Sequence, residues 1–274
     1  MNVPGTEFTA VGDGVTLIGK DAGEGPAVVL LHGLTATHRY VVMGSNSLQR
    51  SGHRVISYDA RAHGVSSRGD GYGYDALLND LEVVLDDRGV ERAVLAGVSM
   101  GAHTILRCAL ERPQRAAGLV VITPAFDGTP VDAGGKLDRW DALAAGLRNG
   151  GIDGFVDAYD LSAVEPRLRD TIVTVIRQRM ALHADLDAIA DALEAVPRSR
   201  PFEAISELSA LSIPVTVVAS GDGADPEHPQ AVGEAYAAAI PGARLVLDRE
   251  GASPTAWQGS QLSRIIAETA AAAG

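Results

Sequence analysis

A five-residue turn motif, placed between an apolar run and a helix-compatible stretch, constrains the fold of this chain more than any other feature. The motif is Gly97-Val98-Ser99-Met100-Gly101, and it follows the run at residues 92–96 and precedes the stretch at 103–110. The two glycines allow the backbone to turn sharply without a Cβ clash, which raises the Ser99 hydroxyl above the end of a strand. Helix N–H groups then point toward that hydroxyl. The pattern predicts a nucleophile elbow at the edge of a sheet.

Short β-rich runs alternate with helix-patterned segments along the chain, which is typical of a mostly parallel sheet with helices on both faces. We predict an α/β fold with eight strands. The strands are predicted at residues 8–11, 15–18, 27–31, 54–58, 93–96, 119–122, 215–219 and 244–247, and helices at 39–51, 74–88, 103–112 and 229–239. The alanine-rich tail at 270–273 is expected to fray.

The alternation stops between about residues 126 and 211, where amphipathic helical runs take the place of strands. We predict a helical cap inserted into the α/β core. The expected divisions are 1–125 for the first part of the core, 126–211 for the cap and its return segment, and 212–274 for the second part of the core. Such a cap would lie over the carboxyl edge of the sheet, where ligands bind in open α/β folds.

Charge and composition narrow the possible partners. The chain has 23 Lys and Arg against 35 Asp and Glu, a formal net charge of −12, with no basic cluster, so nucleic acid is not expected as a partner. No apolar run approaches the length of a membrane span, and a cytoplasmic location is expected. One cysteine, Cys108, excludes an internal disulfide. No metal or cofactor is predicted, and the expected partner is a small, uncharged or weakly polar molecule.

Two further glycine motifs follow predicted strands. The first is His32-Gly33-Leu34-Thr35, and the second is Asp59-Ala60-Arg61-Ala62-His63-Gly64. Together with the turn at Ser99, and in this order along the chain, these motifs resemble the α/β-hydrolase family. The resemblance implies structural roles for four polar residues of the two motifs: His32, Asp59, Arg61 and His63.

The same resemblance implies an activity. It predicts a serine hydrolase that acts on a small carboxylic ester, with Ser99 as the nucleophile. The backbone N–H groups of Leu34 and Met100 would form the oxyanion hole. His103, one helical turn beyond Ser99, is expected instead to be a hydrogen-bonded core histidine.

The catalytic acid is expected in the loop after the strand at 215–219. Asp225 and Pro229 fit the family's D-x-x-x-P pattern, whereas Asp222 stands nearer the strand end. We favour Asp225 and keep Asp222 as an alternative. Asp127, just past the strand at 119–122, is a third candidate, and a turn or helix-cap role is the simpler interpretation for whichever aspartates are not the acid.

The general base is not where the family has it. The loop after the last strand should carry a Gly-His pair, but the chain has Gly251-Ala252-Ser253, and a methyl group cannot accept a proton. Candidates for a relocated base are His38, His183 and His228. If none of them serves, the oxyanion hole and substrate binding would still support weak hydrolysis of reactive esters. The alternative function is non-catalytic binding of a small molecule on the same fold.

Overall fold

Eight strands form one sheet in the computed structural model, which describes residues 5–129, 131, 135–162, 164–221, 225, 227–248 and 254–274. The strands are β1 (Gly5–Gly12), β2 (Val15–Ala22), β3 (Ala27–Leu31), β4 (Arg54–Tyr58), β5 (Ala93–Val98), β6 (Ala116–Ile122), β7 (Val215–Ala219) and β8 (Arg244–Leu247). Their order is β1-β2-β4-β3-β5-β6-β7-β8. The β1/β2 and β2/β4 pairs are antiparallel and the other pairs are parallel. The predicted mostly parallel, eight-stranded sheet is confirmed.

The helices of the described residues are α1 (Ser47–Arg50), α2 (Tyr74–Asp87), α3 (Met100–Glu111), α4 (Lys136–Ala158), α5 (Pro166–Met180), α6 (Leu186–Ala195), α7 (Gln230–Ala239) and α8 (Gly259–Ala273). Helix α4 is kinked at Gly151, which has φ 59°. Helices α4, α5 and α6 lie between β6 and β7 in the chain. No helix of the described ranges is both long and apolar enough to cross a bilayer.

The sheet is buried on both faces because its central strands are apolar on both sides. In β3, Val29 and Leu31 belong to a large core cluster that also contains apolar residues of α2 and α3. Their neighbours Val28 and Leu30 belong to a second cluster, shared with α1 and α8. This alternation follows from the two-residue period of a strand, and it explains the continuous run of apolar residues in the β3 sequence.

The prediction of a helix at residues 39–51 is wrong over most of that range. The structure has a single 3₁₀ turn at His38–Tyr40 and the short α1 at Ser47–Arg50. Between them, Met43 has φ 46° and Gly44 has φ 73°. Residues with positive φ cannot continue a right-handed helix, so the chain turns here instead.

The expected fraying of residues 270–273 is also wrong, because α8 continues to Ala273. Leu262 and Ile266 of α8 are fully buried in the second core cluster. Ala270 and Ala273 pack against the same cluster, so burial of this face stabilises the helix through its last turn.

Two adjacent parallel strands bring two of the sequence motifs together. Strand β3 pairs with β5, with Leu31 opposite Gly97. The turn that starts at Gly33 and the turn at Ser99 therefore emerge side by side from the carboxyl edge of the sheet. The strand order reverses direction at this pair, and such a switch point leaves a crevice at the sheet edge.

Candidate active site

The turn at Ser99 is strained, as a nucleophile elbow requires. Ser99 has φ 51° and ψ −110°, a combination that residues with a side chain rarely adopt. Its N–H donates to the carbonyl of Ile122 at 3.0 Å, and its own carbonyl accepts from the N–H of His103 at 3.0 Å. The neighbouring strand and the following helix thus hold the serine in this conformation.

The two motif glycines are required by close backbone contacts. A Cβ on Gly97 would lie 2.3 Å from the carbonyl carbon of Gly101, and a Cβ on Gly101 would lie 2.3 Å from the carbonyl oxygen of Leu31. These contacts are with backbone atoms, which cannot rotate away. The sharp turn and the packing of α3 against β3 therefore both depend on glycine at these positions.

A histidine and a carboxylate are aligned with the Ser99 hydroxyl. Nε2 of His228 lies 2.8 Å from Ser99 Oγ, and Nδ1 of His228 lies 2.8 Å from the carboxylate of Asp225. An ionised carboxylate only accepts hydrogen bonds, so Nδ1 carries the proton and Nε2 is free to accept the hydroxyl proton. A carboxylate, an imidazole and a hydroxyl bonded in this order form an arrangement that can activate a serine.

Both partners of Ser99 come from the segment between β7 and α7. Asp225 and His228 are three residues apart, and their side chains are 21% and 18% exposed. The N–H of His228 donates to the carbonyl of Asp225 at 3.4 Å, a weak turn contact that brings the two side chains to the same side. In the expected family pattern, a long stretch of chain separates the acid from the base. Here Asp225 and His228 lie in the same turn.

The residues predicted to form an oxyanion hole, Leu34 and Met100, belong to segments that adjoin Ser99. A Cβ on Gly33 would be 3.4 Å from Ser99 Cβ, so the loop that contains Leu34 passes directly beside the elbow. The N–H of Ala36 closes that loop onto the carbonyl of Gly33 at 3.0 Å. Met100 is the first residue of α3. Its N–H has no intrahelical carbonyl as acceptor, and it lies at the positive end of the helix dipole.

The other two candidate bases make different contacts. Nδ1 of His183 accepts from the N–H of Gly64 at 2.9 Å, so its Nε2–H donates to the carbonyl of Thr35 at 3.0 Å. Nδ1 of His38 bonds to the Asp59 carboxylate at 2.9 Å. Of the three candidates, His228 is the one that the structure brings to Ser99.

The residues that the resemblance marked as structural form contacts within the loops of the sheet edge. The Arg61 guanidinium is paired with the buried Asp80 carboxylate, at 2.7 Å from Nη2 to Oδ1. Nε2 of His32 accepts from the N–H of Ala60 at 3.0 Å, and Nε2 of His63 accepts from the N–H of Thr35 at 3.3 Å. These bonds fix the loops that follow β3 and β4.

His103 connects the elbow helix to the segment that follows β6. Its Nε2 accepts from the N–H groups of Ala125 and Phe126, both at 3.1 Å, and its Nδ1–H donates to the Tyr74 hydroxyl at 2.9 Å. Burial, with a smaller contribution from His228, lowers the pKa of His103 to about 3. The prediction of a hydrogen-bonded core histidine agrees with these contacts.

Of the three candidate acids, Asp225 contacts a histidine. Asp127 accepts from the N–H of Thr129 at 3.0 Å and from its hydroxyl at 2.6 Å, which is a local turn contact. Asp222 lies outside the described residues, and so does Ala252, the residue at the family position of the base.

Two arginines of the segment between β6 and β7 approach this site, and sequence patterns did not single them out. Arg139 of α4 forms an ion pair with Glu227, the neighbour of His228. Arg179 of α5 is close enough to Asp225 for the two charges to interact. Both arginines belong to amphipathic helices. No local sequence motif distinguishes them from the surface arginines on the same helices.

Because several histidines are buried, we expect the folded protein to lose stability at mildly acidic pH. Burial lowers the pKa of His183 to about 4, and it also lowers the pKa values of His32 and His63. The unfolded chain, with histidine pKa values near 6.5, therefore binds more protons than the folded chain below that pH, and stability falls as pH falls. Between pH 7.5 and 5.5, His103 and His183 should each remove on the order of 1 kcal/mol of unfolding free energy. Urea denaturation at the two pH values measures the loss.

Substitutions provide the controls for this pH effect. His183→Gln keeps an acceptor and a donor but does not titrate, so it should reduce the difference between the two pH values. His53→Asn should not, because the His53 ring bonds to the exposed Ser51 hydroxyl at 3.1 Å. Equal unfolding free energies at pH 7.5 and 5.5 in the unmodified protein would contradict the conclusion that the buried histidine rings are neutral.

Comparison with known proteins identifies similar chains. A family model described as alpha/beta hydrolase fold matches residues 26–251. An sn-1-specific diacylglycerol lipase of Mus musculus is 38% identical over 105 residues, which are 38% of this chain and 34% of the lipase. Epoxide hydrolase B of Mycobacterium tuberculosis is 34% identical over 134 residues, 48% of this chain and 36% of that enzyme. These matches span about a third of the length of the curated relatives.

Solved structures match over nearly the whole chain. Est816, an N-acyl homoserine lactone degrading enzyme, is 25% identical with a TM-score of 0.72, and the match covers 96% of this chain and 98% of Est816. A thermophilic esterase from Thermogutta terrifontis has a TM-score of 0.79 at 24% identity, covering 98% and 99% of the two chains, and shows that the fold is shared.

Proposed function

This chain belongs to the α/β hydrolase fold family, and on that premise we propose that it is a serine hydrolase that cleaves a small carboxylic ester through Ser99. The relatives it matches include a lipase and an epoxide hydrolase, which supports a hydrolase in general. The observation that carries the narrower proposal is the 2.8 Å contact between Ser99 Oγ and His228 Nε2.

The first half of the reaction forms an acyl-enzyme. Nε2 of His228 takes the Ser99 proton as Oγ attacks the ester carbonyl carbon, and the carbonyl oxygen becomes an oxyanion. The N–H groups of Leu34 and Met100 stabilise that charge. The Asp225 carboxylate stabilises the imidazolium, which then gives its proton to the departing alkoxide.

The second half of the reaction regenerates the enzyme. Water attacks the acyl carbonyl while Nε2 of His228 takes one of its protons, and the same N–H groups stabilise the second oxyanion. When that intermediate collapses, the imidazolium returns the proton to Ser99 Oγ and the carboxylic acid leaves. Esters suit this cycle better than amides, since an alkoxide is the better leaving group.

We propose that residues 126–211 act as the cap over this site. The ion pair between Arg139 of α4 and Glu227 ties the inserted segment to the turn that contains His228. On the other side, the contacts of His183 with Gly64 and Thr35 tie the segment after α5 to the loops of the sheet edge. Helices attached at these two places would shape a small pocket and exclude water from it.

Hydrolysis of short-chain ethyl and 4-nitrophenyl esters tests the function. The unmodified protein should turn over such esters with saturation kinetics, and Ser99→Ala should reduce kcat/KM by roughly 10⁴-fold or more, because no acyl-enzyme can form. Thr129→Ala, at a side chain engaged with Asp127 outside the triad, is the matched hydroxyl-removal control and should retain activity. Equal rates for the unmodified protein and Ser99→Ala would reject Ser99 as nucleophile and favour a binding function.

A further inference from the structure

Arg179 is partly exposed, and its guanidinium has no hydrogen-bond or ion-pair partner among the described residues. Its Nε is buried and forms no hydrogen bond, and no ion pair joins Arg179 to another residue of the described ranges. Burial lowers the pKa of Arg179, but an arginine stays protonated in proteins. Its N–H donors are therefore available to a bound anion.

The surroundings of Arg179 place it next to the triad. The charges that act on its guanidinium belong to Tyr159 at the end of α4, to Tyr40 in the turn after the β3 loop, and to Asp225. Asp225 is itself bonded to His228, which contacts Ser99. Arg179 also lies four residues before His183, whose Nε2 bonds to the carbonyl of Thr35 in the loop beside Ser99, so this part of the inserted segment lies near the site.

The neighbouring arginines differ from Arg179 in being paired. On the same helix, Arg167 is bonded to Glu165, and Arg177 forms an ion pair with Asp153. Arg139 also feels the charge of Asp225, but its guanidinium is paired with Glu227. Arg179 is thus the cation near the triad whose donors remain available to a bound molecule.

We propose that Arg179 binds a carboxylate group of the substrate, so that this hydrolase prefers an ester or lactone carrying a carboxylate. The inference rests on the proposed function of Ser99. A planar guanidinium matches a carboxylate with two parallel hydrogen bonds. The nearby Asp225 disfavours a doubly charged group such as a phosphate, whereas a single negative charge balances Arg179. This proposal differs from the expectation of a small, uncharged or weakly polar ligand, which was based on the inserted helices and the acidic net charge.

Matched substrates measure this preference. The monoethyl esters of succinate, glutarate and adipate each have a carboxamide counterpart of the same shape without the charge. For at least one chain length, kcat/KM should be about 10- to 100-fold higher for the carboxylate ester than for its carboxamide, the factor typical of charge-assisted hydrogen bonds. Equal values at all three lengths would overturn the inference.

Variants assign the preference to Arg179. Arg179→Met removes the charge and should bring the ratio of kcat/KM for the carboxylate ester to kcat/KM for its carboxamide close to one, with both rates measured in the same variant. Arg179→Lys keeps the charge without the planar fork and should retain a reduced preference. Arg177→Met, on the same helix, is the control and should behave as the unmodified protein. Persistence of the full preference in Arg179→Met would contradict the assignment.

A binding measurement separates this inference from the proposed function. Titration calorimetry of Ser99→Ala with the monoethyl ester that shows the largest preference, or with each of the three if none is turned over, should detect binding that is weakened at least tenfold in Ser99→Ala/Arg179→Met. Arginine-dependent binding without turnover in the unmodified protein would support the carboxylate site and reject the hydrolase. Turnover without arginine-dependent binding or preference would do the reverse. Thermal unfolding checks that Arg179→Met is folded, which we expect because no hydrogen bond or ion pair is lost with this side chain.

Discussion

Replacement of His228 by alanine is expected to lower kcat/KM for an activated ester by roughly 10⁴- to 10⁶-fold, close to the effect of Ser99→Ala. Nε2 of His228 is 2.8 Å from Ser99 Oγ, so the variant loses the group that takes the serine proton. The double variant should be no slower than either single variant, because members of one catalytic unit are not additive. Steady-state kinetics with a 4-nitrophenyl ester measure the three rates.

The chain offers a matched control for this experiment. His38 is also a histidine bonded through Nδ1 to a carboxylate, that of Asp59, but the structure does not bring it to Ser99. His38→Asn should therefore retain most of the activity. A large loss of activity in His38→Asn, together with a small loss in His228→Ala, would identify His38 as the base and contradict our interpretation.

Addition of one methyl group at either motif glycine is expected to have the second large effect. Gly97→Ala and Gly101→Ala each force a Cβ to 2.3 Å from backbone atoms, where no side-chain rotation can relieve the contact. Each substitution should lower the unfolding free energy by about 3 kcal/mol or more, the range of severe backbone and overpacking effects. Urea denaturation followed by circular dichroism measures the loss.

A third glycine provides the contrast. Gly150 lies within α4, and a Cβ at that position would meet no atom within 4 Å. Gly150→Ala should leave stability unchanged or raise it by about 0.5–1 kcal/mol, because alanine favours a helix and restricts the unfolded chain. If Gly101→Ala were as stable as Gly150→Ala, the close packing of α3 against β3 would be incorrect.

The architecture of the sheet could be predicted from sequence because burial imposes a local signature on it. Apolar runs such as 27–31 and 93–96 are buried on both faces and must be central strands. The prediction failed where tertiary contacts or unusual dihedral angles override local preference. The positive φ of Met43 breaks the helix expected at 39–51, and burial of Leu262 and Ile266 extends α8 through the tail.

The site was partly predictable for a similar reason. The motif around Ser99 determines its own local conformation, so it can be identified from the sequence. The relation between His228 and Ser99 is not, since 129 residues separate them and the contact depends on how the turn after β7 folds. Three histidines were therefore left as candidates. Arg179 had no sequence signal at all, because its distinction is the absence of a partner in three dimensions.

The rate at which a fluorophosphonate labels Ser99 decides whether His228 is the base. The reagent forms its adduct with an activated serine, and mass spectrometry of the digested protein locates the modified residue. We expect labelling at Ser99 in the unmodified protein and in His38→Asn, with a second-order rate constant at least roughly 10²-fold lower in His228→Ala, the minimum typical of general base catalysis. Labelling of Ser99 at the same rate in His228→Ala, with both proteins folded, would show that the serine is activated by another group.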